Sequence, residues 1–195
     1  MSNLGWRIVA ASALFGFALT ARAADDAGLE AKPDRTYLHK DSKTILQVPE
    51  GWTIIPPYRL RQTASSTVLG LEKQKPLVSV TIIWSPLSKL EQFSKIVRAA
   101  SEGDLGNEYD TLVTIYGKNK VTRPVTFKVG PYLVYKILID DGPEKGLYGG
   151  AAYLFEAGSG DNRWKVKIRA DFPQLNKEKY IKEVEELIGR FKKEE

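Results

Sequence analysis

Cysteine is absent from this chain, histidine occurs once, at His39, and the only methionine is Met1. The first absence removes disulfides, thiol nucleophiles and thiolate metal sites together. A single histidine excludes a zinc centre built from several His and Cys ligands. Any nucleophile that needs an imidazole base would have to use His39, which lies in a short early strand beside Lys40 with no serine-bearing elbow nearby. Gly158-Ser159-Gly160 lacks the strand-to-helix context of a nucleophile elbow and reads as a hairpin loop. Gly146-Leu147-Tyr148-Gly149-Gly150 lacks the Lys-Ser/Thr ending of a phosphate-cradling loop and opens a strand. No cofactor motif stands elsewhere, and there is no internal repeat or low-complexity tract.

Charge of one sign is also missing, with 29 basic against 24 acidic residues. A nucleic-acid binder concentrates Lys and Arg on one face, so this mild balance argues against nucleic acid as partner. Long apolar runs are limited to Ile8–Leu19, too short to cross a bilayer as a mature helix. With Arg7 before it and Ala21-Arg22-Ala23 after it, residues 1–23 have the form of an export signal, cleaved between Ala23 and Ala24. Cleavage removes Arg7 and Arg22 and no acid, which lowers the formal charge from +5 by two, to +3. The mature chain has no transmembrane segment and no cysteine for a lipid anchor, which places it in the periplasm or outside the cell. The remaining 172 residues suit a single domain with a sizeable core.

Residues 24–35 are polar, with Leu29 their only large apolar side chain, and read as a flexible leader to a domain spanning 36–193. Strands are expected at 36–39 and 44–48 around an Asp41-Ser42 turn, and at 68–73 and 77–84. Ser88 and Glu91 have capping-box spacing ahead of an apolar stripe of Leu90, Phe93, Ile96, Val97 and Ala100, which predicts a helix over 88–102. Strands are then expected at 111–116, 121–129, 132–140, 147–156 and 163–171, joined by links so short that neighbours must be antiparallel. Gly149 to Ala152 supply small residues that let a helix approach the sheet. A last helix is expected over 176–192, its apolar stripe made by Tyr180, Ile181, Val184, Leu187, Ile188 and Phe191. The expected fold class is α+β: one central antiparallel sheet covered by helices on both faces, an α/β/α sandwich.

Three features carry a family resemblance: Val48-Pro49-Glu50-Gly51-Trp52 after an early hairpin, the order hairpin, strands, helix and meander, and Asp171-Phe172-Pro173 leading into the terminal helix. Over most of residues 36–193 the chain resembles the PsbP-like domains, which include thylakoid-lumen proteins of photosystem II and exported bacterial relatives. The resemblance implies an α/β/α sandwich that serves as a non-enzymatic accessory or binding module. It brings no photosystem role, because no residue set here matches one.

Lys165, Lys167 and Arg169 alternate with Trp164, Val166, Ile168 and Ala170, so three cations line one face of the last strand. They are the candidate interaction surface, facing an acidic protein or an anionic lipid surface. The alternative is a solvated or edge strand whose charges block sheet-to-sheet pairing. Asp140-Asp141-Gly142 and Asp161-Asn162 offer oxygen ligands, but without the alternating register of a calcium loop they read as turns. The function expected is an exported, non-catalytic accessory or partner-binding domain, its partner unidentified. A periplasmic protein binding a small ligand or ion, and an enzyme working through carboxylates, are the alternatives.

Overall fold

The computed structural model describes residues 28–55, 66–87, 106–140, 148–159 and 162–194. The export segment with its Ala23 and Ala24 boundary and the capped helix over 88–102 lie outside them.

Eleven strands form two antiparallel sheets among the described residues. The larger has seven strands, β4 (Thr53–Ile55), β5 (Thr67–Lys73), β6 (Val78–Pro86), β7 (Val125–Val129), β8 (Tyr132–Ile139), β9 (Tyr148–Ser159) and β10 (Asn162–Pro173). Their order is β4-β5-β6-β10-β9-β8-β7, so two meanders are joined where β10 returns beside β6. The smaller sheet runs β1 (Leu29–Lys32), β2 (Thr36–His39), β3 (Thr44–Gln47) and β11 (Phe191–Lys193), which brings both ends of the described chain together. Glu194 fastens that junction, accepting from Lys32 Nζ at 3.0 Å, lying 3.7 Å from Lys43 Nζ and donating its N–H to Lys43 O at 2.8 Å.

The alternation of apolar side chains decides how these layers stack. One face of the large sheet presents Val80, Ile82, Trp84, Phe155, Val166 and Ile168, all buried, and packs on helix α2 (Lys177–Ile188) and on the small sheet. Five side chains of α2 are buried there, Tyr180, Ile181, Val184, Leu187 and Ile188. Each contributes roughly 1.5–3 kcal/mol, an upper bound because the unfolded chain already hides part of that area. Two ion pairs flank this apolar contact, Lys73 with Glu183 and Lys136 with Glu185, each at 2.9 Å. Lys136, the odd residue in an otherwise apolar strand, thus answers a carboxylate on α2, and it also lies 4.8 Å from the Phe127 ring. The other face packs on helix α1 (Gly106–Tyr116), where Tyr109 and Leu112 cover Tyr135, Ile137, Ile139, Ala152 and Leu154.

Several expectations are corrected. The described chain is mostly strand and is not an α/β/α sandwich: the layer over one face of the large sheet is a second sheet, with α2 beside it. Residues 29–32, placed in the leader, form β1, because Leu29 reaches the core at 1% exposure and the strand pairs with β2. Residues 111–116 are helical rather than extended, because Tyr109, Leu112, Val113 and Tyr116 recur at helical spacing over the sheet. The terminal helix stops at Ile188, where the Gly189 N–H bonds back to Glu185 O, and Phe191 continues as a strand against Leu46. Of the small residues Gly149 to Ala152, Ala152 lies under α1 with Tyr109 and Leu112 as expected, whereas Gly150 makes room within the sheet. A Cβ on Gly150 would lie 3.0 Å from Ala170 O of the neighbouring strand.

Candidate functional site

The basic strand was expected at a surface or an edge, yet β10 is interior, paired to β6 on one side and β9 on the other. Its apolar set, Val166, Ile168 and Ala170, is wholly buried. The opposite face carries Lys165, Lys167 and Arg169, of which Lys167 and Arg169 meet α1. Lys167 Nζ lies 2.6 and 2.7 Å from the two carboxylate oxygens of Glu108. Arg169 donates to the Tyr116 hydroxyl at 2.8 Å, stacks over that ring at 5.1 Å and meets Asp171 at 3.6 Å. Two of the three cations therefore anchor α1 to the sheet. At the strand's start Arg163 makes a two-pronged ion pair with Glu156, 2.5 and 2.7 Å, and this holds its guanidinium charged.

His39 has partners that its sequence neighbourhood did not suggest. The ring is fully buried, stacked on Trp84 at 5.3 Å and edge-on to Trp164 at 4.6 Å. The Ser42 backbone N–H donates to Nδ1 at 3.1 Å, so that nitrogen carries no hydrogen and Nε2–H faces Thr67 Oγ1 at 3.2 Å. Ser42 Oγ is 2.8 Å from Nδ1 and 2.5 Å from Thr44 Oγ1. Burial pushes the imidazole down to about 4, against a smaller opposing pull from Asp41. A serine beside a histidine suggests acyl transfer, but Ser42 is 1% exposed and offers a substrate no approach. Chemically the cluster is a staple: it joins the β2–β3 hairpin to the large sheet.

Two further places hold polar groups of interest. Tyr153 is buried under α2 with no hydrogen-bond partner for its hydroxyl among the described residues, and burial, with Glu185 and Glu178 nearby, pushes it up. At the far end of the small sheet, Arg35 donates through Nε to Val48 O at 3.3 Å and through Nη2 to Trp52 O. This holds the Pro49-Glu50-Gly51 turn and leaves a cleft of about 700 Å3 beside it. Of the two acidic turns, Asp140 is occupied by Gln174 at 2.9 Å and Lys177 at 3.0 Å. Among the described residues no three His, Asp or Glu side chains converge to hold a metal ion. No helix among them is long and apolar enough to cross a membrane.

No protein-family model matches the chain, and neither does any curated protein. Solved structures do. LpqN of Mycobacterium tuberculosis, involved in cell envelope biogenesis, superposes with a TM-score of 0.53 at 13% identity, over 76% of this chain and 81% of its own. A protein of Bacteroides thetaiotaomicron VPI-5482 gives a TM-score of 0.47 at 13% identity, over 80% of this chain and 46% of its own. At such identity the likeness to LpqN is one of fold.

Proposed function

We propose that this chain is an exported, non-catalytic accessory domain of the cell envelope that acts by contact with another protein. The observation that carries the reading is the state of His39. The chain's single imidazole is sealed between two tryptophans, with both nitrogens engaged, and cannot serve a substrate at the surface. Export is supported by the apolar segment 8–19 with Ala21-Arg22-Ala23, and an envelope role by the fold likeness to LpqN. Lys167 and Arg169 enter this reading as the seam under α1.

Cell fractionation with intact-mass measurement tests the export step. The protein should leave the cytoplasm as a chain beginning at Ala24. A full-length mass, or recovery with the cytoplasm, contradicts the proposal.

A further inference from the structure

The cleft beside the Pro49-Glu50-Gly51 turn is built from three separate parts of the small sheet: the β1–β2 turn, the end of β3, and the link from α2 to β11. Asp34, Arg35, Gln47, Pro49, Glu50 and Arg190 line it. Its volume of about 700 Å3 falls within the range of small-molecule sites. Its walls are held in place. Arg35 is bonded to two backbone carbonyls across the turn, and the Val48 N–H returns a bond to Arg35 O at 2.9 Å. Asp34 and Arg35 are both left-handed, φ 57° and 58°, as the centre of the β1–β2 hairpin turn closed by the Thr36 N–H on Pro33 O at 3.3 Å.

The charges are arranged for a ligand that carries both signs. Asp34 and Glu50 bring carboxylates and Arg190 brings a guanidinium, all three exposed, and none of them forms an ion pair with another described residue. Opposite charges thus share one cavity without closing on each other. Pro49 adds apolar lining, and Gln47 an amide able to bond a peptide group.

We infer that this cleft binds a short peptide with free termini. Arg190 holds the terminal carboxylate, Asp34 and Glu50 hold the terminal ammonium, and Arg35 positions the turn.

The test is a titration of the exported chain with trialanine, followed by amide NMR at neutral pH. Saturable shifts should gather at residues 34–35, 47–50 and 190. N-acetyl-trialanine and trialanine amide should each bind about tenfold more weakly or worse, a loss near 1.4 kcal/mol. Arg190→Ala should abolish the preference for the free carboxylate, and Asp34→Asn with Glu50→Gln the preference for the free amine. These side chains are exposed, so the variants should fold as the parent does. Absence of shifts at about 10 mM peptide, where even a millimolar site would be filled, overturns the inference. So does equal binding of the capped peptides, which would mark an apolar groove. Peptide binding stands apart from the envelope role, because loss of a protein partner would leave these shifts unchanged.

Discussion

His39 shows how much one side chain can hold. It belongs to β2, its partners Thr67 and Trp84 to β5 and β6, and Trp164 to β10, so its ring sits at the seam between the sheets. Its neutral form is required, since a proton on Nδ1 would face the Ser42 N–H. The folded value, about 4, lies below the ordinary 6.5, so between those pH values the unfolded chain takes up a proton that the native chain refuses. The contribution is therefore complete above pH 6.5 and is lost as pH falls toward 4, roughly 3 kcal/mol in all. As the chain's only histidine, it gives a single set of ring resonances; their titration should centre near 4, and a midpoint near 6.5 would contradict the buried staple. Tyr153 is the converse case. Its hydroxyl is buried without a partner among the described residues, so Tyr153→Phe should hold stability or raise it by up to about 1 kcal/mol in urea denaturation. The sequence showed His39 as the sole imidazole but not its hydroxyl partners, because Thr67 is 28 positions away and comes close only through the stacking of two sheets.

At the scale of elements, strands were easier to anticipate than the helix that covers them. β10 alternates so regularly that its core face was legible, and the apolar stripe of α2 located the terminal helix. Thr111-Leu112-Val113-Thr114-Ile115-Tyr116 is rich in β-branched residues and suggested a strand; adding Tyr109 completes a helical face, and burial against the sheet overrides local preference. The charges on β10 were legible as a row, but their destination depends on where α1 lies. If Lys167 and Glu108 anchor α1, Glu108→Ala should cost about 1–3 kcal/mol. The charge-swapped pair Glu108→Lys with Lys167→Glu should recover part of that loss, a coupling of about 0.5–2 kcal/mol by double-mutant cycle. On α2, Leu187→Ala should cost about 2–5 kcal/mol. By contrast, Lys179→Ala on its exposed side should stay within about 0.5 kcal/mol.

The molecule as a whole is closed by a strand that no local pattern announces. Phe191 pairs with Leu46 across most of the chain and places its ring 5.1 Å from Phe155 and 6.0 Å from Trp84. Helical spacing from Ile188 made Phe191 look like one more residue of the stripe, and Gly189 turns the chain instead. Phe191→Ala should cost about 3–5 kcal/mol, and because β11 and β1 meet through Glu194 the loss should spread to both chain ends in hydrogen exchange. Among the described residues the imidazole is sealed inside and Lys167 and Arg169 of β10 are turned to α1, and the accessory role proposed for the chain rests on contact through its surface. The direct test is mild crosslinking in the native envelope, purification through a C-terminal tag and mass spectrometry of what is joined to the chain. The accessory role predicts the same protein partner in repeated preparations. A chain that always comes out alone, and that turns over a substrate on its own, would contradict it.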